Sequence, residues 1–319
     1  MSNSFSVFGV SAHPEYFFWG AFVCALLLVV SPLEPTSSGE TAAVIGTLQA
    51  KENPFTALVL TAKSAYVYDF KTKQALFARN EREIVPLASI TKIMTAVTAL
   101  SLVPETTYVT VTERAIKEEG DSGLRVGERW LLRDLLTFML VESSNDSAVA
   151  VSGAVGGILA TSTENPEAGR NIFIGEMNRR AKGLGLSSTY FLNESGLDLD
   201  AARAGAYSSA SETALLLGYA LTQFPAVFRE TRWGDLKIQN DNGRSYTAQN
   251  TNKDTSNFPL LIASKTGYTD LAGGNLVIAF DAGFNHPIIV AVLGSTAEDR
   301  FTDVEKLVWA TLDSLSKAN

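Results

Sequence analysis

The sequence predicts an α+β fold, and three features of its patterning carry that expectation. Apolar and polar residues alternate on both sides of DFKTKQ in SAYVYDFKTKQALFARN (64–80), which predicts a β-hairpin early in the folded body. Three further strand-like runs lie late in the chain: LLIASKTGY (260–268), GGNLVIAF (273–280) and PIIVAVLGS (287–295). Helical periodicity fills the middle. Strands at both ends and helices between them predict one sheet assembled from both termini, with a helical lobe inserted.

The elements follow in order. Residues 89–101 predict a helix whose buried stripe is Ile93, Met94, Val97 and Leu100. ERWLLRDLLTFMLVES (128–143) and AVAVSGAVGG (148–157) read as helices apolar enough for the middle of a lobe, and STENPEAGRN (162–171) reads as a solvated loop. SSASETALLLGYAL (208–221) opens on a capping box, Ser209 standing three residues before Glu212. A final amphipathic helix from about residue 300 carries Phe301, Val304, Val308, Leu312 and Leu315 on one face. No internal repeat is present.

With 319 residues, 46% of them hydrophobic and 19% charged, the chain can bury a sizeable core as one large domain or two lobes. A net charge of −8 without a basic patch excludes a nucleic-acid surface. The single cysteine, Cys24, sits in the most apolar run, so the rest of the chain has neither a disulfide nor a thiolate nucleophile. His13 and His286 are too few for a histidine-based metal site and read as surface loop residues, His286 lying in a turn between two strands. No metal and no cofactor is expected.

Residues 17–30, FFWGAFVCALLLVV, are uninterruptedly apolar, and no lysine or arginine precedes Lys51. The run is short for a full span and long for a signal core, so residues 1–31 are expected to be an apolar anchor or signal segment, the uncleaved anchor favoured. Pro, Ser and Gly make residues 32–54 a tether, and the folded domain is expected over 55–319. The body is thereby placed at the extracytoplasmic face of the membrane or secreted to the cell envelope.

Chemistry concentrates in PLASITKIMTA (86–96), which sets Ser89 and Lys92 one helical turn apart, about 5 to 6 Å between Cβ atoms. A serine hydroxyl is a poor nucleophile until a neighbour takes its proton, and the lysine amine is the available base. It must be neutral to act. Lowering its pKa from about 10.4 toward 7 requires roughly 4 to 5 kcal/mol. A second cation about 5 Å away would contribute about 3 kcal/mol and partial burial the rest, so the motif predicts another lysine close by. The same spacing recurs at Ser314 and Lys317, where the tail helix needs only a polar face.

Two further motifs fit that requirement. VESSNDSAVA (141–150) offers Ser143 and Asn145 where an apolar helix ends and polar side chains can enter a cleft. SKTGYTDLAGG (264–274) offers Lys265, Thr266 and Gly267 on an edge strand: a charge, a hydroxyl, and a place where another backbone can come close.

Ser-x-x-Lys, Ser-x-Asn and Lys-Thr-Gly, in this order, make the signature of serine penicillin-binding proteins and β-lactamases. From residue 62 to 296 the sequence resembles the low-molecular-weight penicillin-binding proteins of the D-alanyl-D-alanine carboxypeptidase type, peptidase family S11. Blocks such as RDLLTFMLVESSNDSA, MNRRAKGLGLSSTYFLNESGL and AQNTN contribute to the likeness. The resemblance implies an antiparallel five-stranded sheet flanked by helices. It implies Ser89 as the acylated nucleophile, Lys92 as its base, Ser143 as a proton relay and Asn145 as a ligand of the substrate amide. Lys265 and Thr266 would bind the terminal carboxylate, Lys265 also keeping Lys92 neutral, while Gly267 lets the substrate backbone approach. The amides of Ser89 and Tyr268 would form the oxyanion hole. The implied substrate is the D-Ala-D-Ala end, or a D-amino-acid cross-link, of peptidoglycan stem peptides, with β-lactams as inhibitors. The β-rich second domain of many carboxypeptidases is not expected, since the chain ends soon after the last matching strand, and single-domain members include endopeptidases. A β-lactamase would need a deacylating base, for which Glu167 in EAGRN is the candidate.

Overall fold

The computed structural model describes residues 53–160 and 166–318, so the apolar run, Cys24, His13 and most of the tether lie outside the described residues. Five strands form the main sheet: β1 (Ser64–Asp69) and β2 (Gln74–Arg79) from the start of the body, with three more from its end. Two-residue strand β3 (Val85–Pro86) leads into a 3-10 turn, Ala88–Thr91, and helix α1 (Lys92–Leu102). The lobe follows: β4 (Tyr108–Thr110), β5 (Arg129–Leu131), α2 (Leu132–Glu142), α3 (Asn145–Leu159) and α4 (Pro166–Gly183). The chain returns through β6 (Tyr190–Phe191), β7 (Ala206–Ser208), α5 (Ala210–Gln223), α6 (Pro225–Phe228) and the hairpin β8 (Asp235–Gln239) to β9 (Ser245–Gln249). It closes with β10 (Leu261–Thr269), β11 (Gly273–Asp281), β12 (Pro287–Ser295) and α7 (Asp299–Ala318).

The sheet order is β10-β11-β12-β1-β2, every neighbouring pair antiparallel, so the late strands meet the early hairpin between β12 and β1. Both faces are covered, which explains why these strands are apolar almost throughout. Alternation sorts them: Ile288, Val290 and Val292 pack with Phe301, Val304 and Val308 of α7, while Ile289, Ala291 and Leu293 join the core under the inner helices. Leu312 and Leu315 extend the α7 stripe as half-buried residues.

Several expectations are corrected. The run 128–143 is not one helix: Arg129–Leu131 pairs with β4, and α2 starts only at Leu132. Instead of a solvated loop, Pro166 opens α4, the position where a missing N–H does no harm. Helix α1 buries every residue from Lys92 to Ala99 rather than a stripe, because it runs through the middle of the molecule. The capping box is half made: Ser209 accepts from the Glu212 N–H at 3.3 Å. The Glu212 carboxylate turns instead to the Ser188 N–H and the Thr189 hydroxyl. His286 does sit in the β11–β12 turn, yet its Nε2 is 2.8 Å from Oδ2 of buried Asp69, so it ties two turns together rather than lying on the surface.

Candidate active site

Ser89 owes its position to the residues around it. Leu87, Ala88 and Ile90 are fully buried, leaving Ser89 half-exposed on the turn between them. In a 3-10 turn side chains at i and i+3 eclipse, which aligns Ser89 with Lys92 more directly than the expected α-helical turn. Ala88 adopts a left-handed φ of +49°. That strained conformation is held from three sides. Thr91 Oγ1 donates to the Ala88 carbonyl at 2.7 Å, and Gly196 packs on the same carbonyl so closely that a Cβ would lie 1.9 Å from it. Buried Asn275 of β11 donates to the carbonyls of Pro86 and Leu87, both at 3.0 Å.

Lys92 is wholly buried, and its Nζ has three partners: Ser89 Oγ at 2.8 Å, Asn145 Oδ1 at 2.7 Å and the Ser195 carbonyl at 2.8 Å. Two of these oxygens can only accept. A neutral amine has two N–H donors and one lone pair, so it saturates both acceptors and keeps its lone pair for the Ser89 hydroxyl. Burial lowers the Lys92 pKa to about 7, against the opposing pull of the Glu194 and Glu118 charges.

Helix α2 ends at Glu142, and Ser143 turns the chain with a left-handed φ of +62°. Ser144 caps α3, accepting from the Ser147 N–H at 3.0 Å, which leaves Ser143 and Asn145 for other partners. Asn145 Nδ2 donates to the Glu119 carbonyl at 2.7 Å, which fixes the amide so that its oxygen faces Lys92. Gly120, at φ +89°, leaves the room this requires: a Cβ there would be 3.3 Å from Nδ2.

The third motif lies on the sheet edge. Lys265 is buried, and its Nζ donates to Ser143 Oγ at 2.8 Å and to the Thr266 carbonyl at 2.9 Å. Burial first, then the charges of Lys92 and Arg300, push its pKa well below the ordinary lysine value. The expected division of labour between the two lysines therefore changes. Burial leads the depression of Lys92, and the repulsion between the amines is felt at Lys265. Gly267 lies against the serine turn: a Cβ there would stand 2.7 Å from the Leu87 carbonyl and 3.1 Å from the Ser89 nitrogen. Tyr268 follows with its side chain half-exposed.

Contacts thus link Ser89, Lys92 and Asn145 in one group and Lys265, Ser143 and Thr266 in another, while Gly267 brings β10 against the serine turn. The arrangement can deprotonate a hydroxyl, relay a proton and receive an anion. Glu167 is not placed as a free base. It is half-exposed and pairs with Arg114 at 3.2 Å and Arg170 at 2.9 Å. Ser195, Gly196, Asn275 and Arg300, whose Nη1 donates to the Gly267 carbonyl at 2.8 Å, were not legible as site residues. Ser195 acts through its backbone and Gly196 through a missing side chain, so neither leaves a chemical signature in the sequence.

Comparison with known proteins adds a family to this fold. The sequence profile of the D-alanyl-D-alanine carboxypeptidase family, Peptidase S11, matches residues 49–297. The chain is 28% identical to the D-alanyl-D-alanine carboxypeptidase DacF of Bacillus subtilis over 77% of its own length and 61% of that protein's. It is 30% identical to a D-alanyl-D-alanine endopeptidase of Pseudomonas aeruginosa over 78% of its own length and 76% of that protein's. Among solved structures it resembles penicillin-binding protein D2 of Listeria monocytogenes in the cefotaxime-bound form, with a TM-score of 0.65 at 28% identity over 79% of this chain and 98% of that one. It also resembles the Streptomyces K15 DD-transpeptidase, with a TM-score of 0.70 at 25% identity over 80% and 98%. Fold, motif geometry and a profile match across most of the sequence lead to one conclusion: the chain belongs to the D-alanyl-D-alanine carboxypeptidase family, peptidase family S11.

Proposed function

We propose that the protein is a serine D,D-peptidase acting on the D-Ala-D-Ala end of peptidoglycan stem peptides through an acyl-enzyme on Ser89. The observation that carries this reading is the setting of buried Lys92, whose Nζ lies 2.8 Å from Ser89 Oγ while Asn145 Oδ1 and the Ser195 carbonyl take its other two positions. Ser89 Oγ attacks the carbonyl of the penultimate D-alanine while its proton passes to Lys92 Nζ. The amides of Ser89 and Tyr268 receive the developing oxyanion. The C–N bond then breaks, and the leaving amine takes up a proton through Ser143, which Lys265 orients at 2.8 Å. Water hydrolyses the ester and restores Ser89. Asn145 orients Lys92 and, with its substrate in place, holds the acyl-side amide. Thr266 and Lys265 receive the terminal carboxylate, whose charge returns to Lys265 the proton that burial disfavours.

Release of D-alanine from a stem pentapeptide tests the assignment. Ser89→Ala is expected to abolish release and covalent labelling by benzylpenicillin, and a Ser89→Ala protein that still releases D-alanine would overturn it. A slow-decaying acyl-enzyme after a penicillin burst is expected, whereas rapid turnover would mark a β-lactamase; the engagement of Glu167 by Arg114 and Arg170 speaks against that outcome.

Endopeptidase action on cross-links is a second reading, supported by the 30% identity to the Pseudomonas aeruginosa endopeptidase. Mass analysis of products from monomeric and cross-linked muropeptides separates the two. The apolar run at 17–30 and the extracytoplasmic location of the substrate support a body held outside the membrane by residues 1–31. Deleting that segment is expected to move the protein from the membrane fraction to the soluble one.

A further inference from the structure

We propose that Thr251 is a further substrate-binding residue, its hydroxyl forming with that of Thr266 a two-hydroxyl clamp on the terminal carboxylate. The inference rests on the D,D-peptidase reading and adds a residue to its carboxylate end. The two Oγ1 atoms are 2.5 Å apart, either one being able to donate. Thr266 is buried and Thr251 half-buried, so Thr251 is the more accessible of the two. Two hydroxyls bonded to one another use only one of their two protons, which leaves the second to donate elsewhere. Both protons become available when a bound carboxylate offers two acceptor oxygens at a comparable spacing.

The donors of Lys265 sharpen the need. Lys265 Nζ already donates to Ser143 Oγ and the Thr266 carbonyl, so the hydroxyl pair adds donors of its own where the anion arrives. Thr251 is also held rigidly for the task. Its N–H donates to the Val141 carbonyl of α2 at 3.2 Å. Neighbouring Asn250 donates to the carbonyls of Thr231 and Trp233, both at 2.8 Å, and the Thr231 carbonyl also accepts from Ser264, directly before Lys265. The backbone of the segment therefore does the structural work, and the Thr251 hydroxyl, bonded to that of Thr266, takes no part in it. Preorganised hydroxyls of this kind discriminate by charge.

The test compares kcat/KM on an acyl-D-Ala-D-Ala peptide with that on its C-terminal carboxamide, for wild type, Thr251→Val and Thr251→Ser. Wild type is expected to prefer the carboxylate. Thr251→Val is expected to lose about 10- to 100-fold on the carboxylate peptide, as for a hydrogen bond to a charged group, through KM more than kcat, and little on the carboxamide. Thr251→Ser is expected to restore the preference. An active wild type whose Thr251→Val variant keeps the preference, or loses equally on both peptides, overturns this inference alone. A wild type inert toward both peptides overturns the peptidase reading, and the inference with it.

Discussion

Lys92 shows at the scale of one residue how a fold prepares an amine for the base role proposed for it. Its neutral form fits its three partners, and its pKa of about 7 lies well below the ~10.4 of a free lysine. Between those values the unfolded chain binds a proton that the folded chain does not, so stability rises with pH across that window. Below about 7 the full penalty stands, on the order of 4 kcal/mol for so buried a group. Lys92→Met removes it, and that variant's stability advantage in urea unfolding is expected to shrink steadily from pH 7 to pH 10. A difference independent of pH would mean that Lys92 is charged in the folded protein. Activity should follow the same titration, with penicillin acylation climbing through about pH 7 and levelling above it. The spacing of Ser89 and Lys92 was legible because the motif fixes which residues meet. The cause of the low pKa was not, since burial depends on helices far away in the chain.

At the scale of elements, glycines decide how closely the pieces of the site approach. Gly267 lets β10 lie against the serine turn, where a Cβ would press on the Leu87 carbonyl at 2.7 Å. The two nearest atoms, the Leu87 oxygen and the Ser89 nitrogen, are backbone, so the strand must move. Gly267→Ala is expected to lower penicillin acylation at least about 100-fold, as loss of an oxyanion donor does, while the melting temperature changes little because β10 is an edge strand. Retained acylation would show that β10 does not shape the oxyanion hole. Gly156 and Gly169 play the corresponding structural part between α3 and α4: a Cβ at Gly156 would stand 1.9 Å from the Gly169 carbonyl. Gly156→Ala is expected to destabilise by about 1 to 3 kcal/mol or more, read from the urea midpoint, and to leave acylation of the folded enzyme unchanged. Sheet strands and α7 were legible from periodicity. The start of α4 was not, because polar STENPEAGRN carries no apolar stripe to outweigh its loop-like composition. The short strand ahead of α2 was hidden for the opposite reason, its apolar residues continuing the helical run without a break.

Across the whole molecule the two ends of the body are joined by one buried side chain, Asp303 of α7. Its Oδ1 accepts from the Thr61 N–H at 3.0 Å, and its Oδ2 accepts from the Ala62 N–H and the Ser295 hydroxyl, both at 2.8 Å. The entry to β1, the end of β12 and the closing helix therefore share one carboxylate. Element order was enough to predict a sheet built from both termini, but not this fastening, because an aspartate on an amphipathic helix reads as part of its polar face. Arg300, one turn earlier on α7, reaches the Gly267 carbonyl beside the serine turn, so the same helix touches both the fold's closure and the candidate site. Asp303→Ala would leave the buried Ala62 N–H and Ser295 hydroxyl without their acceptor. At about 1 to 3 kcal/mol for each buried unsatisfied group, the expected loss is about 2 to 6 kcal/mol in urea unfolding. Asp303→Asn keeps one acceptor oxygen and sets an NH2 against a donor, so it should fall between alanine and wild type. If the fastening spans the molecule, unfolding followed by tryptophan fluorescence and by loss of penicillin labelling should shift together in both variants. A shift confined to one probe would show that the sheet closure and the active site unfold separately.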